Sequence, residues 1–527
     1  MDGRLYTLWG DEDQETDINE SLLALIRNRI GLDEDKVIWS GHFNYDEQPV
    51  SPELKSMLEG WVSPEDISFD TEDRLKHSLG KGGLDYVNLM ERKIRIVDAV
   101  VYPNEGELRA LLRNADSRME LIPFGGGTSV TGGVSPTGLK KFSIALDLSK
   151  FDSIELNSED GIVKVGAGVK GPELENLLEE RGLTLGHFPE SFYLSTIGGW
   201  IATNAAGQES NRYGKIRDMV VGLEMESPSG TFKDRIVPGE SAFFRLPDIV
   251  VGSEGTFGIV TKAWLKVHRK PERLYYRAYM FRSFKEGVEA LRKKFLSESI
   301  PIVSRLSDED ETQLSLSGIS NKAPNKLFKR YVEFRTNGKP GSLLISVSDR
   351  RDDTKFDGGI YLGSVPARIW GRERYNRPFM YNELLKRGIV AETIETSATW
   401  GVLEDIHRST KDVFKEVMDS YNLNGILMCH SSHQYSTGSA LYFTFIFHRK
   451  DGRGEVLMRT RERIVENILE KGGSISHHHG IGSLLSGYLS DYKGSTFDII
   501  KTIKSRLDPS NVLVPGILGE STGKDKI

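Results

Sequence analysis

The sequence predicts an α+β protein of several domains, and three observations carry that expectation. Between Lys93 and Val267, β-rich runs such as IRIVDAVVYP, FSIALDL and GIVKVGAGV alternate with stretches of helical apolar period. A second mixed segment starts near Leu274 with the strand YYRAYMF and the amphipathic helix SFKEGVEALRKKFL. At 527 residues the chain is also too long for one core.

Residues 1–92 read as a mostly helical segment, with SLLALIRNRIGL its clearest patch and no clear strand pattern. Residues 93–270 form the first α+β unit. There NEGELRALLRNA follows Pro103 as a helix, and Pro172 sits where a first helical turn tolerates it, ahead of Leu174, Leu177 and Leu178 on one face. Residues 271–450 form the second unit, with Phe284, Val288, Leu291 and Phe295 on one helical face, and with TWGVLEDIHRSTKDVFKEVM and the strand ALYFTFIFHR further on. Residues 451–527 open with GEVLMRTRERIVENILE, which Gly472–Gly473 should stop, and close with DIIKTIKSRLDPSNVLVPG.

Charge and composition narrow the function. A net charge of −7 without a basic stripe argues against nucleic-acid binding. A single cysteine, Cys429, rules out an internal disulfide framework and fits a reducing compartment, and nothing beside it reads as a nucleophile triad. The acidic MDGRLYTLWGDEDQETD lacks the order of a signal peptide, GKDKI is no peroxisomal or endoplasmic-reticulum address, and no apolar run is long enough to span a bilayer. The expected location is cytoplasmic, with attachment to a membrane surface still open.

Three glycine-rich tracts carry the chemistry. In PFGGGTSVTGGV, Pro123, Gly125, Gly126, Gly127, Thr128 and Ser129 suit a loop whose backbone closes on an anion. This tract, PFGGGTSVTGGV, carries neither the phosphate-loop GK[ST] nor the GxGxxG dinucleotide fingerprint. STIGGWIATNAAG offers Ser195, Thr196, Gly198, Gly199, Trp200, Asn204 and Gly207, small residues that suit packing on a flat ligand. VVGSEGTFGIVTKAWLKV repeats the pattern with Glu254, Gly255, Gly258 and Ile259. One such tract is bland; three in order indicate an extended, phosphate-bearing cofactor in a channel.

The triplet His477, His478 and His479 in SISHHHGIG could be a metal site, an acid/base cluster or a polar loop. Neighbours in an extended segment alternate in direction, so three adjacent imidazoles do not readily meet one ion. His430 and His433 in CHSSHQ lack a third placed ligand. Tyr442 in ALYFTF reads from the strand alone as a core residue, Arg305 in SRLSDED as an ion-pair partner of Asp308 or Asp310, and His187 in GHFPES as a core histidine.

Together these tracts resemble the flavin-binding domain of the vanillyl-alcohol oxidase superfamily, as does the terminal LDPSNVLVPG. Within it, the chain is most similar to the alkyldihydroxyacetonephosphate synthase family. LWGDED, DRLKHSLGKGGLDYVNLMERKIRIVDAVVYP, GHFPESFYLSTIGGW, SRLSDED, ETIETSATW, ALYFTF and SHHHGIG carry that likeness. The resemblance implies an FAD-binding domain, a substrate cap domain and a C-terminal segment that returns to the flavin. Thr128, Ser129 and Val130 stand where some relatives tether the flavin through histidine, so non-covalent FAD is expected. Tyr442 matches the family's catalytic tyrosine, His477, His478 and His479 its active-site histidines, Arg305 an arginine on the substrate side of the flavin, and His187 a further active-site histidine.

Related 2-hydroxy-acid dehydrogenases use two histidines and a glutamate for a metal. Tyr435, Tyr442 and His478 stand at those places here, and no metal is expected. Tyr381 replaces a family arginine for substrate binding, with Arg377 and Arg374 nearby as candidates to take over the anchoring. The implied reaction replaces the acyl chain of acyl-dihydroxyacetone phosphate by a fatty alcohol, giving an ether-lipid precursor. The alternative on the same fold is FAD-dependent oxidation of a 2-hydroxy acid or another alcohol. The expected partners are therefore lipid-like small molecules, with peripheral membrane contact and a homodimer open to the chain.

Overall fold

The computed structural model describes residues 5–6, 9, 18–32, 37–39, 42–43, 45–318, 323–338 and 341–519. Of LWGDED only Trp9 lies within them, and the terminal GKDKI lies outside.

The first sheet holds β1 (Ile67–Ser68), β2 (Ala99–Val101), β3 (Met119–Phe124) and β4 (Phe142–Asp147) in the order β1-β2-β4-β3. β4 runs parallel to both β2 and β3. Both faces of β2 and β4 are covered, which is why AVV and FSIALD read as unbroken buried runs. Helix Glu105–Asn114 begins at Asn104 with reciprocal bonds between Asn104 and Glu107, and buries Leu108, Leu111 and Leu112. The far end of the chain joins this sheet: the Leu121 N–H donates to Val512 O, and the Val514 N–H to Leu121 O. LDPSNVLVPG thus locks beside the strand that leads into the first glycine tract.

The second sheet is antiparallel: β5 (Ile154–Asn157), β6 (Ile162–Gly166), β7 (Val220–Ser227), β8 (Gly230–Lys233) and β9 (Ile259–Lys266), in the order β8-β7-β9-β6-β5.

The third is a seven-stranded antiparallel sheet. Its strands are β10 (Tyr275–Phe281), β11 (Val303–Ser307), β12 (Ser342–Ser348), β13 (Ile360–Gly363), β14 (Ile389–Thr399), β15 (Gly425–Gln434) and β16 (Gly438–His448), in the order β13-β10-β12-β11-β15-β16-β14. One face of β16 sends Leu441, Phe443, Phe445 and Phe447 into a core shared with Leu403, Ile406, Val456, Leu457 and Ile464. The first two belong to helix Leu403–Ser420 and the others to helix Arg453–Glu470. The alternate residues face a cavity.

The described part of residues 1–92 packs into these layers. Helix α1 (Glu20–Ile30) buries Leu22, Ile26 and Ile30 against Leu384, Ile389, Ile426 and Ile446, and helix α2 (Gly83–Met90) sends Val87 into the core behind β16. The same stretch supplies β1, whose two residues are too short to show a period of two in the sequence.

Candidate active site

A cavity of about 720 Å³ opens between the glycine tracts and the third sheet. Its first wall contains Pro123, Gly125, Gly126, Gly127, Thr128 and Ser129; Ser195, Thr196, Gly198, Gly199 and Trp200; and Glu254, Gly255, Gly258 and Ile259. Glycine is required at 126, where an added Cβ would lie 2.0 Å from the Leu194 carbonyl oxygen. Asn204 and Gly207 are not on the wall. Asn204 ends the helix Ile197–Thr203 in a left-handed conformation, and Gly207 lies so close to the next loop that a Cβ would come 2.4 Å from the Phe188 nitrogen. They shape the wall from behind.

The opposite wall is the free face of the third sheet, and pairing register sorts it by polarity. Tyr442 lies between Glu395 on β14 and His430 on β15, and His430 pairs with Ser307 on β11. The next row holds Thr393, Thr444 and Met428; the one after it holds Ala391, Ile446 and Ile426. Ile18, Leu22 and Ile26 of the N-terminal segment, with Leu314 and Leu384, continue the apolar end. Directly opposed residues share a face, so the gradient from polar to apolar follows from sequence alternation once the register is set.

The histidine loop docks on the polar end through Glu395. Oε1 of this buried carboxylate accepts from the Ser476 hydroxyl at 2.7 Å and from the backbone N–H groups of His477, His478 and His479 at 2.9, 3.0 and 3.1 Å. Burial raises its pKa, but His478, His479 and His477 outweigh that and hold the carboxyl well below its ordinary value. Glu254 fastens the other end of the loop, accepting from the Ile481 and Gly482 N–H groups at 2.7 and 3.0 Å. Burial raises Glu254 to about 7 against those two bonds. The first glycine tract is stitched to the same loop, with the Thr131 hydroxyl donating to His479 O and the Ser483 hydroxyl to Gly132 O.

The imidazoles do not all point the same way. His478 and His479 line the cavity, whereas His477 turns aside: its Nε2 lies 2.6 Å from Tyr435 Oη and its Nδ1 3.0 Å from Nδ1 of His478. Burial depresses His479 to about 3 and His477 well below the ordinary histidine value. His433 also lines the cavity, from a bulge on β15 where its φ is +52°, and burial holds it well below its ordinary value. His187 is fully buried against Trp200, ring centroids 4.6 Å apart, without reaching the cavity; burial lowers it to about 3. Glu395, His477 and His478 bring three ligand-type atoms within 4.8 Å of one another. Four donors already fill Glu395 Oε1, and Tyr435 engages His477, so the set is largely satisfied internally.

A second buried cluster flanks Tyr442. Arg305 and Arg377 both reach Oε1 of Glu311, at 2.5 and 2.9 Å, and Arg305 also donates to His430 Nδ1 at 3.0 Å. Burial raises the Glu311 pKa, but Arg305, His430 and Arg377 hold it well below its ordinary value. Two guanidinium groups share one carboxylate, and among the described residues the buried Arg305 Nε has no hydrogen-bond partner. Tyr381 lies on the wall near Gly83, where an added Cβ would come 2.9 Å from its hydroxyl, while Arg374 is drawn away to Glu209.

Sequence reasoning missed four residues. Glu311 directly follows SRLSDED, and Glu395 lies inside the quoted ETIETSATW, so both were within reach. Lys81 lines the cavity, and burial lowers it to about 8 despite Asp85. Arg461 reaches Val130 O from helix Arg453–Glu470, an i,j relation that no local pattern announces.

The comparisons agree with this layout. Residues 97–234 match the FAD binding domain, and residues 363–518 the FAD linked oxidases, C-terminal domain. An alkyldihydroxyacetonephosphate synthase of Trypanosoma brucei brucei is 31% identical over 91% of this chain and 82% of its own. The chain belongs to the alkyldihydroxyacetonephosphate synthase family. A family member from Dictyostelium discoideum is 28% identical over 92% of this chain and 83% of its own. A solved alkyldihydroxyacetonephosphate synthase superposes with a TM-score of 0.79 at 26% identity, over 94% of this chain and 92% of that one.

The cofactor is FAD, and the residues present fit it. Three tracts meet along one continuous wall, and the first approaches the second closely enough that a Cβ at 125 would lie 2.3 Å from the Thr196 hydroxyl. That leaves backbone amides and small side chains toward the cavity, as a diphosphate and a flat ring require.

Proposed function

We propose that this chain is an alkyldihydroxyacetonephosphate synthase, which replaces the acyl chain of an acyl-dihydroxyacetone phosphate by a fatty alcohol and holds FAD without a covalent link. The observation that carries the reading is the graded cavity: one continuous space with the flavin wall on one side, paired arginines and Tyr442 at its polar end, and a mainly apolar far end. A 2-hydroxy acid has no use for that far end; a long hydrocarbon chain does.

When bound, FAD supplies a redox-active ring able to take and return an electron pair. The protein groups supply the rest. Arg305 and Arg377 exceed Glu311 by one positive charge and bind the phosphate. Arg377 stands one helical turn before Tyr381 on helix Arg377–Lys386 and takes over the anchoring. Tyr442, whose pKa burial raises, holds its proton at Oη and donates it to developing negative charge. His479 and His433, kept neutral by burial, accept hydrogen bonds. Ala391, Ile446, Leu22 and Ile26 hold the chains. Contact with a lipid surface, at which such substrates reside, a homodimer and a cytoplasmic location belong to the same proposal.

The test is turnover of palmitoyl-dihydroxyacetone phosphate with hexadecanol by the purified flavoprotein. Fatty acid and ether product should appear in equal amounts. Lasting flavin reduction by 2-hydroxy acids without oxygen, and no response to the ester, would make it a dehydrogenase instead.

A further inference from the structure

We propose that Tyr435 and His477 form a proton relay joining the cavity-lining His478 to the solvent side of the third sheet. The inference rests on the function proposed above only for the identity of the proton donor; the relay itself stands on geometry.

Three contacts make the path. Tyr435 Oη lies 2.6 Å from His477 Nε2, and His477 Nδ1 lies 3.0 Å from His478 Nδ1. The ring of His478 then reaches the cavity, packed 4.4 Å from His479 and 5.9 Å from Tyr442 by centroid. At the other end, Tyr435 is partly exposed and precedes the exposed turn residues Ser436 and Thr437. His477 itself does not touch the cavity, so a direct part in substrate chemistry does not account for its two ring contacts.

The loop geometry makes this contact. Two adjacent side chains in an extended segment diverge, yet here both Nδ1 atoms converge because Glu395 gathers the three consecutive N–H groups. Its Oε2 also lies 3.5 Å from His478 Nδ1, placed to offset a positive charge on that ring. The groups facing the relay are Glu395 from β14, Asp218 beside Tyr435, Lys215, which donates to His477 O, His433 from β15, buried His187, and His479 on the loop itself. Burial depresses Lys215 to about 8, and burial followed by the neighbouring His478 and Lys215 depresses His477, so a proton on His477 is held only in passing.

The protons balance in both directions. When the fatty alcohol loses its hydroxyl proton to Nε2 of His478, the Nδ1 proton of His478 moves to Nδ1 of His477. The Nε2 proton of His477 moves to the Tyr435 oxygen, and the Tyr435 hydroxyl proton goes to water. The departing carboxylate draws one proton back along the same path, which restores every tautomer. The released fatty acid then ionises in solvent, and one proton is liberated per turnover.

Two variants and two readouts test this on the holoenzyme. In Tyr435→Phe, kcat should fall on the order of 10-fold, with KM and the flavin spectrum unchanged. The solvent deuterium isotope effect on kcat should rise, and free imidazole should restore part of the loss. Unchanged kcat and isotope effect in Tyr435→Phe would overturn the relay. Independently of substrate, histidine-selective nitrogen-15 NMR should show a strongly downfield proton shared by the two Nδ1 atoms, absent in His477→Gln. Lack of that signal in the parent protein would overturn the relay even if turnover is as proposed, whereas its presence without ester turnover would sink only the choice of substrate. Stoichiometric transition metal in the purified protein, lost on Glu395→Gln, would replace the relay by a metal site.

Discussion

Glu395 and Tyr442 stand directly opposite each other on β14 and β16, so the strand that carries the tyrosine toward the cavity is paired with the strand that gathers the histidine loop. One pair in register thus places two parts of the site that lie far apart in sequence.

Glu395→Gln should destabilise the protein by about 3 kcal/mol, because an amide NH₂ would face N–H donors in a buried site. The depressed carboxyl adds stability that is fully present above the ordinary glutamate value and lost as pH falls through its folded value. Thermal unfolding of both proteins between pH 3 and 7, about the range set by that ordinary value, should show the gap closing toward acid. An equal gap throughout would refute the assignment.

His77 gives the opposite sign. It lies 3.0 Å from Asp147 and packs on Phe124 beside the first glycine tract. Burial lowers its pKa, but Asp147 and Asp73 outweigh that and raise it to about 9. The stability it contributes is therefore complete below the ordinary histidine value and lost as pH rises through about 9. His77→Gln should remove that alkaline slope in a urea titration series; an unchanged slope would contradict it.

Gly126→Ala places a methyl group against the Leu194 carbonyl. Overpacking of this kind costs about 1–3 kcal/mol, and the displaced loop should bind FAD roughly 10-fold more weakly or worse. The ratio of visible to ultraviolet absorbance measures it, with circular dichroism to confirm that the fold persists. Full flavin occupancy would mean that the cofactor lies elsewhere.

Tyr442→Phe removes one hydroxyl from the cavity face. Loss of a proton donor of this kind lowers kcat by about 10²–10⁴, with flavin content retained and KM little changed. A KM effect alone would make Tyr442 a binding residue.

The sequence by itself determined the longer elements and the cofactor side. Buried runs in β2 and β4, the capping pair Asn104 and Glu107, and three small-residue tracts are local patterns, because pleat, helix turn and glycine freedom act within a few residues. The family tyrosine, histidines and arginine were legible only through resemblance, since an isolated Tyr442 in an aromatic strand looks like core. Tertiary structure decided what these groups do. Pairing register set Glu395 and His430 on either side of Tyr442, packing turned His477 away from the cavity toward Tyr435, and the fold drew Arg305 and Arg377 onto one carboxylate. Such relations depend on which strands pair and which loops return. Long-range packing sets those relations, and no local window of sequence contains them.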